Sequence, residues 1–406
     1  MRVVHVSADH PDSWQQDKTP AVANLLQITA GALDHHVYSL NRISPSGADL
    51  VGALLGSPRA PRMPIEMSGA SEQLRTLKYW APPRGFYLLT LLEPVADLIS
   101  SDIARGVEKP QLLHGHKLTI EGIVVARISR LLGLPYVLTA QGNTDCKVIN
   151  LRPDLRELYR KIYLGAEVLF CYAPWMQRFL EKRLGRRDKP TVILPVPTMA
   201  DRILPPRISG PSVTSAFNLR FSRLKNADAI FRAANQLAKE FPDFRVTILG
   251  GPAALVEAAQ LRASKLGASP LLTGPVPHAE MQQRFNRSGG FALASKRESF
   301  GMVFVEAALA GCPIVYPMGR AVDGLFRGCE WAIAVDPTAQ ESVTDGIRKL
   351  VRDERRLKTE LALWHQSPAA RRLQRTAISG EYVRAVSSAI GVLEHSPGAE
   401  AHRWSV

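Results

Sequence analysis

The sequence predicts an α/β protein of two doubly wound domains facing each other across a cleft. Three observations carry this expectation. The chain has 406 residues, length for two or three domains at roughly 150 residues each. Short β-branched and apolar runs alternate with longer stretches of helical period, the rhythm of βαβ units and parallel sheets. That rhythm stops at a proline-rich stretch near residues 195–211 and then restarts, as a linker between two such domains would make it.

Taken in order, residues 2–7 (Arg-Val-Val-His-Val-Ser) read as a first strand and 21–33 as a helix. Residues 36–40, 112–115, 136–140, 167–172 and 191–195 read as further strands of the first domain. Past the prolines, 213–218 is a strand, and 226–241 a helix with Ile230, Ala233, Ala234 and Leu237 at helical spacing. Residues 244–249 are nearly all apolar, as burial on both faces of a parallel sheet requires. Strands at 271–274, 290–294, 313–316 and 332–335 complete the second domain. Residues 371–393 carry amphipathic helix, and 397–406 are small and polar, the composition of a disordered tail. The expected organisation is therefore 1–200 for the first domain and 201–375 for the second. A helix over 376–396 returns to the first, and a tail follows at 397–406.

The composition, 46% hydrophobic and 22% charged, excludes a disordered, collagen-like or coiled-coil chain. Lys and Arg number 51 against 37 Asp and Glu, a surplus that favours phosphates or anionic surfaces as partners. No binding-fold signature or run of stacking aromatics accompanies the charge, so nucleic acid is not expected. Cys146, Cys171, Cys312 and Cys329 are scattered without metal-site or disulfide spacing, which suits a reducing compartment. The N-terminus lacks the apolar core of a signal peptide, and no run of about 18 apolar residues occurs. A cytoplasmic protein follows, at most peripheral on the inner face of a membrane.

The chemistry concentrates between residues 295 and 315. A strand runs into a loop carrying Glu298 and Phe300. Gly301 then allows close backbone approach, and a helix begins at Met302 and Val303 whose free N–H groups suit a phosphate. Glu306 lies five residues past Gly301, about 7–8 Å along a helix, near the span from a diphosphate to its ribose. Two carboxylates eight residues apart can grip opposite ends of one nucleotide sugar.

This stretch, with Phe300-Gly301 and Gly311-Cys312-Pro313-Ile314-Val315 around it, resembles the E-x7-E signature of retaining GT-B glycosyltransferases of the family 4 type (glycosyltransferase group 1). The resemblance implies two Rossmann-like domains, with a nucleotide-activated hexose, UDP- or GDP-linked, on the second. It implies transfer of that hexose to a hydroxyl of a glycan or lipid-linked saccharide with retention of configuration, in polysaccharide or lipopolysaccharide biosynthesis. Glu298 would then meet the sugar hydroxyls and Glu306 the ribose. Arg220 and Lys225 keep the family's five-residue spacing of two cations that stabilise the leaving diphosphate, although its flanking glycines are replaced by Leu219 and Asn226. Gly250-Gly251-Pro252 resembles the turn near the phosphates, and Gly274-Pro275-Val276 the segment beside the nucleobase. His116, in Leu112-Leu113-His114-Gly115-His116, matches a strand-end histidine near the transferred sugar; as a residue it reads equally well as a satisfied core histidine.

Departures fall on the acceptor side. The family's Gly-Gly loop corresponds here to residues 15–20, which hold no glycine. Either Lys18 or Thr19 supplies donor groups there, or the acceptor binds differently. Gln141 stands where the family has histidine, ahead of Asp145, and an amide cannot shuttle a proton. No D-x-D pair occurs, so metal-independent transfer is expected, with no resident cofactor. Basic residues crowd 152–189, readable as a docking face for anionic membrane or as a solvated helix face. Two other readings stand beside transfer: a sugar-nucleotide epimerase or hydrolase of the same fold, and a non-catalytic sugar-nucleotide-binding subunit.

Overall fold

The computed structural model describes residues 1–44, 65–71, 73–81 and 88–391; the tail expected at 397–406 and the last residues of the helix expected over 376–396 lie outside them. Val3, Val4 and Val6 of β1 (Arg2–Ser7) are buried on both faces, so this valine-rich strand sits inside the first sheet. It pairs in parallel with β2 (Asp34–Ile43) on one side and β5 (Leu112–Gly115) on the other. The sheet continues through β6 (Tyr136–Ala140), β7 (Leu169–Cys171) and β8 (Thr191–Ile193). On the far side β4 (Leu74–Trp80) pairs with β2, and β3 (Glu66–Ser71) adds the one antiparallel pairing among the described strands.

The second sheet contains β9 (Ser212–Ala216), β10 (Arg245–Leu249), β11 (Leu271–Leu272), β12 (Gly290–Ala292), β13 (Ile314–Pro317) and β14 (Ala332–Val335). Its order is β11-β10-β9-β12-β13-β14, parallel throughout. Each sheet thus reverses strand order once, at β1/β5 and at β9/β12, and a crevice opens at such points beyond the carboxyl ends of the strands. The reading from sequence missed β3 and β4, whose Arg75 and Lys78 interrupt an apolar pattern. It also ran the first helix four residues too far. That helix spans Ala21–Thr29, and the Thr29 hydroxyl turns back to donate to the Leu25 carbonyl at 2.8 Å.

No regular element spans residues 194–211, yet the segment is pinned. The Ser209 and Gly210 amides donate to Glu354 at 2.7 and 3.1 Å, and Leu204 N–H reaches the Leu309 carbonyl at 2.8 Å. The chain then returns: helix Arg375–Ala389 lays Ile378, Tyr382 and Val386 against Val3, Leu25, Leu112, Val137 and Phe170 of the first domain. Tyr382 lies 2.8 Å from His114 Nδ1, both groups fully buried. Tyr382→Phe leaves that ring nitrogen unserved, and we expect a loss of about 1–3 kcal/mol, read as a lower urea midpoint at unchanged slope. None of the helices among the described residues is long and apolar enough to cross a membrane.

Candidate active site

Both crevices open onto one cleft of about 850 Å³. Its first wall follows β1, β5, β6 and β7 and carries Asp9, Thr19, Lys117, Gln141 and Tyr172; its second follows β9 and β12 and carries Phe217, Phe221, Lys225 and residues 298–303. Helix Met302–Leu309 begins on that second wall with no side chain capping its start. Uncapped amides and the positive end of the helix dipole face a ligand there. Gly301 makes this start possible. Its φ of 74° lies in the left-handed region, and a Cβ would stand 2.7 Å from the Phe304 ring.

Most of the expected donor-side residues converge. Lys225 Nζ lies 2.5 Å from Glu298 Oε2, both partly buried. Glu306 lines the cleft at 5% exposure, where it accepts a short hydrogen bond from the Thr198 hydroxyl and lies 3.3 Å from His278 Nε2. That carboxylate raises the His278 pKa above its ordinary value. Phe300, Met302, Val303, Gly250 and Val276 also line the cleft. Gly251 stands behind the lining, its carbonyl taking the Leu219 amide at 2.7 Å.

Arg220 does not join them. It is exposed and absent from the cleft lining. Leu219–Phe221 form a 3-10 turn capped by Asn218, in which neighbouring side chains diverge by about 120°. Leu219 is the buried residue of the turn, Phe221 reaches the cleft edge while still about half exposed, and Arg220 points away from the cleft.

The acceptor side departs further from expectation. Lys18 turns away, paired with Asp12 at 3.1 Å and Ser39 at 2.9 Å, so Thr19 alone of the two lines the cleft. Asp145 is fully buried, one oxygen accepting from the Thr119 amide and hydroxyl at 3.0 and 2.8 Å. Burial pushes its carboxyl up to about 6. Gln141 lines the cleft, and its amide nitrogen has no partner. His116 is wholly buried and outside the lining; the next residue, Lys117, reaches the cleft instead.

His116 belongs to a chain of imidazoles. The Thr29 hydroxyl spends its proton on Leu25, so it accepts from His35 Nε2 at 2.9 Å. His35 Nδ1 then accepts from His5 Nε2 at 2.9 Å, and His5 Nδ1 from His116 Nε2 at 3.0 Å. The run ends on His116 Nδ1, which has no partner. His5, His114 and His116 offer ring nitrogens within 4.8 Å of one another. Their rings stack, His116 at 26° to His5 and 29° to His114, so their lone pairs do not converge on one ion. Burial holds all four neutral, His35 down at about 4 and His114 at about 3.

Sequence reasoning missed Asp9, Lys117, Thr198 and His278. Lys117 left one usable signal: a cation two residues past a strand end, where a doubly wound sheet places its ligand crevice.

Two facing doubly wound sheets with an uncapped helix start and an acidic pair on one wall define the GT-B class. The family described as "Glycosyl transferases group 1" matches residues 209–362, and the one described as "Glycosyl transferase 4-like domain" matches residues 32–197. The chain belongs to these group 1, family 4-like GT-B glycosyltransferases. It is 28% identical over 148 residues to D-inositol 3-phosphate glycosyltransferase 1 of Catenulispora acidiphila, covering 34% of this chain and 35% of the relative. The chain thus spans about a third of the length of the curated relatives it matches. Among solved structures, sucrose-phosphate synthase from Thermosynechococcus elongatus superposes with a TM-score of 0.66 at 15% identity, over 96% of this chain and 100% of that one. Anabaena HepE in complex with UDP and glucose gives 0.61 at 13% identity, over 95% and 99%. At these identities the two structures speak for the fold.

Proposed function

We propose that the protein is a hexosyltransferase that takes its sugar from a nucleoside diphosphate donor and delivers it, with retention of configuration, to an acceptor hydroxyl on a glycan or lipid-linked saccharide. The observation that carries this reading is the convergence of Lys225, Glu298, Glu306 and the uncapped start of helix Met302–Leu309 on one cleft. The structure of Anabaena HepE in complex with UDP and glucose supports a nucleotide sugar as the ligand.

In this reading the diphosphate lies at the amides of Met302 and Val303, beside Lys225. The base lies near Val276, the ribose hydroxyls at Glu306, and the hexose hydroxyls at Glu298. As the bond from the anomeric carbon to the phosphate oxygen breaks, negative charge grows on the diphosphate, where Lys225 and the helix start stabilise it. The acceptor oxygen attacks from the same face, and its proton passes to the leaving phosphate oxygen. Lys225 and the helix start supply positive charge without a divalent ion, so we propose metal-independent transfer. The exposed cations Arg156, Arg160, Lys161, Arg183 and Arg186 lie on the surface of the acceptor-side domain. They suit docking on anionic membrane where the acceptor is lipid-linked, as in polysaccharide or lipopolysaccharide assembly.

The test combines a donor panel with one variant. The true nucleotide sugar raises Tm by an amount that grows with the logarithm of its excess over Kd and supports labelled-hexose transfer in EDTA, with retained configuration in the product. Glu306→Ala weakens binding of that donor about tenfold or more, measured by calorimetry. Donor binding without transfer to any acceptor would point to a binding subunit, and released free hexose or an epimerised nucleotide sugar to the other readings.

A further inference from the structure

The first wall of the cleft carries a charge arrangement that the donor chemistry does not use. Lys117 Nζ lies 2.6 Å from Asp9 Oδ2 and 3.3 Å from Glu121 Oε1. Burial alone would lower the Lys117 pKa, but Glu121 and Asp9 outweigh it and hold the ammonium charged. Glu121 is fully buried; its Oε1 also takes the Ala8 amide at 2.8 Å, and its Oε2 has no partner. Asp145, also fully buried, leaves its Oδ2 unserved. Lys18, the nearby second cation, is occupied by Asp12. Three carboxyl groups therefore gather about the ammonium that this first wall sends into the cleft.

Of these, only Asp9 and Lys117 line the cleft. Asp9 is about one-quarter exposed, and its Oδ1 is free to accept a hydrogen bond. Lys117 keeps one of its three N–H donors beyond the two carboxylates. Gln141, more than nine-tenths buried and part of the same lining, has an amide nitrogen with no partner. Asp9, Lys117 and Gln141 thus present an acceptor and two donors at hydroxyl scale. A phosphate here would have to share an ammonium already held by two carboxylates, with further acidic oxygens behind it, and such like-charge crowding is repulsive.

We propose that Asp9, with Lys117 and Gln141, is the acceptor-recognition subsite, and that it takes an uncharged polyhydroxylated acceptor and rejects one phosphorylated beside its reacting hydroxyl. This rests on the transferase reading above. Asp9 accepts from the acceptor's hydroxyl while Lys117 and Gln141 donate to its neighbour. Asp9 is a positioning residue here, because the leaving phosphate takes the proton.

The experiment uses the full chain, the nucleotide sugar selected by thermal shift, and acceptors in matched pairs: glucose with glucose 6-phosphate, myo-inositol with an inositol monophosphate, and methyl mannoside with its phosphate. The uncharged member of a pair is expected to be used at least tenfold better in kcat/KM. Asp9→Asn is expected to raise acceptor KM about tenfold with donor affinity unchanged, and to narrow the gap between the members of a pair. An unchanged acceptor KM in Asp9→Asn, a preference for phosphorylated members, or donor binding with no transfer to any uncharged acceptor overturns the proposal and leaves the donor site standing. Failure of every nucleotide sugar to bind overturns the transferase reading itself.

Discussion

Lys225→Ala is expected to lower kcat/KM by two to three powers of ten, a loss of about 2.7–4 kcal/mol of transition-state stabilisation. Lys225 lines the cleft, partly buried at 23% side-chain exposure and 2.5 Å from Glu298. A cation about 4 Å from a growing negative charge contributes about 4 kcal/mol at the effective dielectric of a protein surface, which matches that loss. The ammonium is held in place by Glu298 before any donor arrives, so little reorganisation is needed when charge develops. The effect falls chiefly on kcat, because the charge it serves is larger in the transition state than in the bound donor. Arg220→Ala is the internal control: exposed and outside the lining, it should cost less than about threefold. Initial rates with labelled donor decide the matter, and a Lys225 variant within threefold of the parent refutes the assignment.

Acidification should unfold the first domain well above the range where surface carboxylates titrate. His5, His35, His114 and His116 are all held below the ordinary histidine value, by burial first and in most of them by neighbouring rings second. A group depressed in the folded state binds its proton more readily when unfolded. Its stabilisation is complete above about pH 6.5 and is lost as pH falls toward the folded values, about 4 for His35 and about 3 for His114. Asp145 works in the opposite sense. Its carboxyl, raised to about 6 by burial, takes up a proton in the folded state first and offsets roughly one histidine. His35 and His114 each cost about 1.4 kcal/mol per pH unit as pH falls below 6.5 toward those values, and His5 and His116 act in the same direction, against a domain stability of about 5–15 kcal/mol. Circular dichroism melts should show a flat Tm above pH 7 and a steep fall below 6.5. A Tm unchanged down to pH 5 would mean that these rings are not buried neutral.

The parallel strands and the glutamate pair were legible because they rest on local pattern. Burial on both faces writes itself as apolar runs, and the reach from Gly301 to Glu306 follows from helical rise alone. Arg220 misled because residue spacing was matched while the turn that aims the side chain was not. Replacing the family's flanking glycines with Leu219 and Asn226 accompanies a 3-10 turn that brings Phe221 rather than Arg220 to the cleft edge. His116 misled by a single position. The strand carries the histidine into the interior, and the following residue crosses into the cleft. Lys117 left a positional signal just past a strand end, but its role depends on Asp9, Glu121 and Asp145, which only the folded sheet brings together.

The packing of helix Arg375–Ala389 on the first sheet bears on biogenesis. Synthesis runs from the amino end, so every strand of the first unit leaves the ribosome long before Ile378, Tyr382 and Val386 exist to cover Val3, Leu112 and Phe170. The second unit can finish first, being continuous in sequence. The nascent first unit waits with an oily face bare until the last helix arrives, a window in which chaperones have something to hold.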